Sequence, residues 1–390
     1  MWVSDLNVDW IPHGPANREG RIPNEKMIEQ IMKMGVKELY IDTDKGLDVN
    51  EGMPEPEVEE ERQKMFDKAG ELQPLRQERI TVYSEFTKAT KVHQEAKNIV
   101  DNALQDVKFG KPLQIDVVDK LSIDLVSSVF RNKDALLCLG RMRTKDSYLL
   151  EHSVNLSVLM TSFGKHIGLS QEILQQASVG ALLHDIGKIL VPDEILLKPG
   201  KLSAEEFEHI KKHVVHSREI LTATEGISDL AVTVACQHHE RFDGTGYPDG
   251  LKGEEISEYG RMVAIVDVYD AITADRCYHK GIIPSAALKK LLEWSGSHFD
   301  VDFVHKFIRC IGIYPVASLV RLESGKLAIV MQQNEEDQRL PEVKVIYDAK
   351  HQHYVSVKNL NLAKSQDTIV GVEDPAKYNI DIKDFIELPC

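Results

Sequence analysis

Histidine and aspartate stand in this chain where hydrophobic helices would turn them inward. His184-Asp185 closes the apolar stretch 177–183 and precedes Ile186-Gly187-Lys188. Two adjacent ligands at a helix end can face one site, although taken alone the pair is more often ordinary punctuation, since Asp and Gly commonly end helices. Asp267 lies within Met-Val-Ala-Ile-Val-Asp-Val. An unpaired carboxylate buried there would cost several kcal/mol, and a metal ion would remove that cost. The alternative, an Asp on the wet side of an amphipathic helix, sits poorly with the unbroken apolar run 262–266 before it.

His209, His213 and His216 fall on a helix expected to begin near Glu205. At about 100° per residue, Phe207, Ile210, Val214 and Leu221 define one face, and only His213 lies near its edge. His213 is therefore the ligand candidate, and His209 and His216 read as solvated. His238-His239-Glu240 follows the apolar run 230–236 and opens the loop Arg241-Phe242-Asp243-Gly244-Thr245-Gly246-Tyr247-Pro248. Gly244, Gly246, Gly250 and Gly253 could shape a backbone cover over a phosphate or an ordinary surface turn. His152 starts a helical segment over about 151–167 and alone reads as a core or surface histidine. In chain order, His152, His184-Asp185, His213, His238-His239 and Asp267 supply nitrogen and oxygen ligands on successive helices, enough for two metal ions if Asp185 bridges them.

The elements that must position these residues follow from periodicity. Residues 1–50 read as a small α/β unit, with a helix near 24–34 and a short apolar run at 37–41; no nucleotide-binding fingerprint occurs there. Residues 51–61 hold Pro54, Pro56 and six Glu, a composition that resists packing, so 51–115 reads as an acidic linker followed by long connecting helices. Between 116 and 315, apolar residues recur with a helical period in at least seven segments, which makes an all-α domain. From 316 to 390 short β-rich runs at 317–322, 327–331 and 343–347 predict a small antiparallel sheet. The fold class expected is mainly α, with a small α/β unit before the helical domain and a β-rich extension after it.

Bulk properties bound the function. At 390 residues with 42% hydrophobic content the chain exceeds one ordinary core. With 47 basic against 62 acidic residues the formal charge is -15, so neither DNA, RNA nor an anionic membrane is an expected partner. A phosphate substrate must be met by local positive charge. Cys138, Cys236, Cys277, Cys310 and Cys390 are scattered without a CxxC pair, against a disulfide framework or a cysteine-rich zinc site and in favour of a reducing cytosol. Residues 1–10 carry no basic n-region and no run of 18 apolar residues occurs, so a cytoplasmic location is expected.

The order of these motifs resembles the HD-GYP domain, the branch of the HD phosphohydrolase superfamily that degrades cyclic dinucleotides. The matching segments are His184-Asp185-Ile186-Gly187-Lys188 with Val191-Pro192, His238-His239-Glu240-Arg241-Phe242-Asp243-Gly244-Thr245-Gly246-Tyr247-Pro248, and Asp267-Val268-Tyr269-Asp270-Ala271-Ile272-Thr273-Ala274-Asp275-Arg276. They cover about residues 148 to 315. The first fifty residues also resemble the small domain of uncharacterised function that often precedes this catalytic domain.

The resemblance implies a helical HD-type fold in which His152, His184, Asp185 and Asp267 hold one metal ion while Asp185, His213, His238 and His239 hold a second. It places Lys188 beside the scissile phosphate, with Lys188 and Asp185 as the catalytic residues. Arg276 matches a substrate-binding arginine, whereas Cys277 stands where proline is usual and His279 where lysine is usual; Lys280 offers a nearby charge in its place. Gly244, Gly246 and Tyr247 complete the implied substrate contacts. Tyr148 occupies the position of a glutamate that brings a third ion in some members, so two divalent ions are expected, iron or manganese first, zinc or nickel as alternatives. The implied activity is hydrolysis of cyclic di-GMP to pGpG or GMP, or of 3′3′-cyclic GMP-AMP to linear pApG. A non-hydrolysing cyclic-dinucleotide sensor or scaffold and an HD-type mononucleotide phosphohydrolase are the competing readings. A homodimer and a protein partner at the 244–248 loop are further candidates.

Overall fold

The computed structural model describes residues 1–6, 19–33, 36, 38–47, 49, 52–70, 80–142, 148–196, 198, 200, 202–275 and 281–386. Strands β1 (Trp2–Asp5), β2 (Gly20–Arg21) and β3 (Tyr40–Ile41) pair antiparallel in the order β2-β1-β3. Helix α1 (Glu25–Lys33) buries Ile31 against Val3, Leu6 and Val36.

Residues 55–61, expected as acidic linker, instead begin helix α2 (Glu55–Gly70), whose remainder falls where connecting helices are expected. Composition misleads here because Glu55 and Glu57 lie in the first turn, where the positive end of the helix favours them. Partners hold the rest: Arg62 pairs with Glu293 at 2.8 Å, Glu59 with Lys289 at 2.6 Å, and Phe66 is buried in the core. Helix α3 (Val82–Lys108), capped by Thr81, packs along α4 (Ile115–Gly140). Ala89, Ala96, Val100 and Leu104 join Leu121, Leu125 and Val129 in one cluster, so α3 is integral to the helical body. The buried Glu85 secures the pair by accepting from Ser128 at 2.8 Å and Arg131 at 2.7 Å.

The body continues with α5 (Tyr148–His166), α6 (Gln171–Leu183), the single turn α7 (Asp193–Leu196), α8 (Ala204–Thr222), α9 (Asp229–Gln237), α10 (Glu258–Thr273), α11 (Pro284–Glu293) and α12 (Val301–Ile311). Among the described residues α4 to α12 make nine helices, where periodicity predicts at least seven. Serines start the helices that matter most. Ser170, Ser203, Ser228 and Ser257 each accept the backbone N–H three residues on, capping α6, α8, α9 and α10. Helix α10 runs through the core: residues 262–266 are no more than 4% exposed, which is why polar side chains on its next turn are also buried.

The chain then forms β4 (Leu319–Leu322), β5 (Lys326–Gln332), β6 (Glu342–Asp348), β7 (His353–Asn361) and β8 (Ile369–Glu373), an antiparallel sheet ordered β7-β6-β5-β4-β8, followed by the short α13 (Lys383–Ile386). The first three strands are those the sequence predicts. Strands β7 and β8 escape it because neither carries a continuous apolar run; β7 is largely exposed and β8 has one fully exposed and four half-buried residues. The sheet is tied to the helices through Asp134, whose carboxylate accepts Gln333 N–H at 2.9 Å. The molecule is thus mainly α with a small antiparallel sheet toward its C-terminal end.

Candidate metal centre

The centre is assembled from the ends and inner faces of α5, α6, α8, α9 and α10. His184 and His238 are the residues that terminate α6 and α9. Such positions have a physical use, because the last four carbonyls of a helix have no helical N–H partner. His184 Nδ1 lies 2.8 Å from Ala181 O, and His238 Nδ1 lies 2.7 Å from Ala235 O. His213, in the middle of α8, does the same to Ile210 O at 2.6 Å. A carbonyl can only accept, so each ring is a donor at Nδ1 and, when neutral, presents a bare lone pair at Nε2.

Those lone pairs converge on Asp185. Its Oδ1 is 3.3 Å from His213 Nε2 and 3.9 Å from His238 Nε2, while Oδ2 is 3.1 Å from His184 Nε2 and 4.0 Å from His152 Nε2. Asp267 closes the other side, 3.1 Å from His152 Nε2 and 3.6 Å from His239 Nδ1. His213 and His238 place their Nε2 atoms 3.3 Å apart. Two acceptor lone pairs that close repel unless a cation sits between or beside them. Buried His184 Nε2 and Asp185 Oδ1 make no hydrogen bond, an expensive arrangement for a merely structural cluster. Donor atoms of His213, His238 and His239 gather within 4.8 Å of one another, as do those of His152, His184 and Asp185. The residues therefore fit a pair of cations with a mixed imidazole and carboxylate shell.

Electrostatics match that arrangement. Burial pushes the His213 imidazole down to about 3, with Lys188 adding to the effect and Asp185 opposing it. Burial likewise holds His238 well below the usual histidine range and His239 at about 4. Burial would raise the Asp185 carboxyl, but His184 and Lys188 beside it outweigh that and hold it ionised far into acid. Asp267 is held down in the same way by the hydrogen bond from His152 and by the neighbouring imidazoles, against its burial. For His152 burial lowers the pKa, but Asp267 and Asp270 prevail and lift it to about 9.

Two further residues lock the assembly. Ser217, fully buried one turn beyond His213, donates to His184 O at 2.8 Å and accepts Gly187 N–H at 2.9 Å. The turn after His184-Asp185 is thus clamped to α8, and Gly187 allows the approach: a Cβ there would lie 2.1 Å from His213 O. Lys188 reaches Asp185 Oδ2 at 2.6 Å. Lys188 and His239 keep 21% and 18% of their side-chain surface exposed, whereas the other members are at most 8% exposed, so the centre opens to solvent on their side.

The glycine-rich loop stands at that opening. Tyr247 N donates to His239 O at 3.1 Å, and the Tyr247 ring lies 4.7 Å from the His239 ring. Buried Glu240 braces the loop from within by accepting the N–H groups of Asp249 at 2.8 Å and Leu251 at 3.0 Å. Gly244 has φ +83°, a turn conformation suited to glycine, and a Cβ on Gly246 would lie 2.3 Å from Arg241 N. Both glycines are explained by the loop's own folding. His209 is exposed and His216 half-buried beside Glu219, both apart from the cluster. Arg276 and Lys280 lie outside the described residues, as does the side chain of Tyr148. Sequence reasoning missed Ser217, Glu240 and Asp270; the last sits three residues beyond Asp267, a spacing that puts both on one helix face.

The chain is similar to known proteins. The HD domain family model matches residues 139–303, and that of a domain of unknown function (DUF3391) matches residues 1–118. Cyclic di-GMP phosphodiesterase PA4108 of Pseudomonas aeruginosa is 36% identical over 382 residues, covering 97% of this chain and 91% of that protein. The cyclic di-GMP phosphodiesterase response regulator RpfG of Xanthomonas campestris is 40% identical over 146 residues, 37% of this chain and 39% of its own length. The 3′3′-cGAMP-specific phosphodiesterase 2 of Vibrio cholerae is 38% identical over 138 residues, 35% of this chain and 26% of its own.

Two outcomes check the centre. Gly187→Ala should cost about 1–3 kcal/mol of stability to urea, from overpacking against the α8 backbone at His213 and Ser217, and should weaken Mn²⁺ binding; a variant unchanged in both would contradict the clamp. The unfolded chain protonates His213 near pH 6.5 while the folded chain resists to about 3, so its contribution is lost as pH falls across that window. Metal-free protein should show a urea midpoint that declines below pH 6.5, and less steeply in His213→Gln. Equal slopes would speak against a buried neutral imidazole.

Proposed function

Because the chain belongs to the HD-GYP family of metal-dependent HD-domain phosphodiesterases, we propose that it opens a cyclic dinucleotide, cyclic di-GMP to pGpG or GMP, or 3′3′-cyclic GMP-AMP to linear pApG. The observation that carries the reading is the convergence on Asp185 of the Nε2 atoms of His213 and His238, rings that burial keeps neutral, with Asp267 across the cluster and Lys188 at its open side. A simple binding pocket for a nucleotide has no use for facing imidazole lone pairs.

In this reading His152, His184, Asp185 and Asp267 hold one divalent ion and Asp185, His213, His238 and His239 the other, iron or manganese before zinc or nickel. Such ions, when bound, acidify water and neutralise charge on phosphoryl oxygens. The chain's own groups do the rest. Asp185, whose two oxygens face different histidines of the cluster, would be shared between the two positions. Lys188 lies at the exposed edge, where its ammonium group meets the scissile phosphate, stabilises developing negative charge and is within reach to protonate the leaving oxygen. Arg276 and Lys280 are assigned to the distal phosphate. Tyr247 and the backbone at Gly244 and Gly246 border the opening and contact the nucleotide. Cys277 and His279, which depart from the usual pattern, keep both cyclic dinucleotides in play.

No helix among the described residues is long and apolar enough to cross a membrane. With three buried free cysteines, Cys138, Cys236 and Cys310, this supports work in the cytoplasm on an intracellular messenger. The same reading includes a homodimer, supported by Met27, Ile28 and Met32 exposed on α1, and a protein contact at the 244–248 loop.

Incubating the metal-loaded protein with each cyclic dinucleotide and chromatographing the products tests the activity. Linear product from the unmutated chain and none from Asp185→Ala, which should also bind less metal, is the expected result. Turnover retained by Asp185→Ala would overturn the site assignment, and both nucleotides returned intact by metal-loaded protein would leave a sensor. Sedimentation should show a dimer; a monomer at all concentrations would remove that part.

A further inference from the structure

In His152, His184, His213 and His238 the second nitrogen is fixed by a hydrogen bond, but not by the same kind of acceptor. His184, His213 and His238 donate from Nδ1 to neutral carbonyls of their own helices. His152 differs: its Nδ1 lies 2.7 Å from Oδ2 of Asp270, a carboxylate that is 1% exposed and sits on α10 one turn beyond Asp267. A carboxylate behind an imidazole holds its tautomer and orientation more firmly than a carbonyl does and makes the opposite nitrogen a stronger donor.

We infer that Asp270 is a positioning residue that acts through His152 and makes the two cation positions unequal, the one at His152 binding more tightly. This rests on the metal-centre reading above. Charge supports it: Asp185, Asp267 and, one hydrogen bond behind, Asp270 surround the His152 position. The His213, His238 and His239 position shares Asp185 through Oδ1 and meets Asp267 only through His239 Nδ1 at 3.6 Å, while its His213 and His238 rings are backed by neutral carbonyls. The same asymmetry follows exposure, since His152 is buried while His239 borders solvent. The weaker ion is therefore also the one at the mouth, where substrate arrives and where exchange with solvent is open.

Titration of the metal-free full chain with Mn²⁺ alone, followed by calorimetry and electron paramagnetic resonance, tests this without any assay of turnover. The unmutated protein should take up two ions with distinct affinities. Asp270→Asn, nearly the same shape without the charge, should weaken the tighter ion roughly 10- to 100-fold and leave the weaker within about twofold. A general structural defect would lower both together. If Asp270→Asn does not fold by circular dichroism, the comparison of His152→Ala with His239→Ala stands in: the tighter ion should be lost in the first and kept in the second. A tighter ion that survives Asp270→Asn unchanged, or that survives His152→Ala, overturns the inference while leaving the two-ion centre intact. An unmutated protein that binds fewer than two ions would instead sink the reading on which it rests.

Discussion

The fate of one nitrogen on each of several imidazoles governs this molecule. A neutral histidine has one donor and one acceptor, and where Nδ1–H of a neutral ring is committed to a carbonyl, Nε2 is left as a lone pair. Helix ends provide those carbonyls without disturbing the helix, and they are found at Ala181 and Ala235, in the last turns of α6 and α9. The ligand pairs His184-Asp185 and His238-His239 stand at helix C-termini for this reason. The depressed proton affinities of His238 and His239 follow from the same burial that gathers them.

A cluster of bare imidazoles and ionised carboxylates is a poor way to fill a protein core, and the rest of the fold is arranged to hold it. Helix α10 is buried on nearly every side and carries both Asp267 and Asp270 on its inner turns. Ser217 joins the turn after Asp185 to the helix that bears His213, and Gly187 removes the one side chain that would keep them apart. Serine caps set where α6, α8, α9 and α10 begin, and so where their ligand-bearing turns fall. A bound cation would give the buried, unpartnered His184 Nε2 and Asp185 Oδ1 a partner, which would link metal binding to the stability of this region.

Much of this was legible in the sequence because it is written in residue types that resist burial. Seven side chains from His152 to Asp267, picked out by their places at the ends or inner faces of apolar helices, are brought together by the structure. Asp270 was missed although its spacing from Asp267 pointed to it, because a carboxylate on a helix has many ordinary explanations. Ser217 and Glu240 carry no signal in isolation: their roles are hydrogen bonds to backbone far along the chain. The start of helix α2 was hidden by its glutamates, and the ion pairs that seat the helix, Glu59 with Lys289 and Arg62 with Glu293, are set by tertiary contact. Strands β7 and β8 lacked apolar runs because one face of each remains wet.

Two cations sharing Asp185 are what the proposed centre requires. Diffraction from crystals of the Mn²⁺-loaded protein, recorded at the manganese absorption edge, tests this most directly. Two anomalous peaks about 3.5–4 Å apart, one against His152, His184 and Asp267 and the other against His213, His238 and His239, with the Asp185 carboxylate between them, are predicted. A single peak, or two that do not both contact Asp185, would contradict the account.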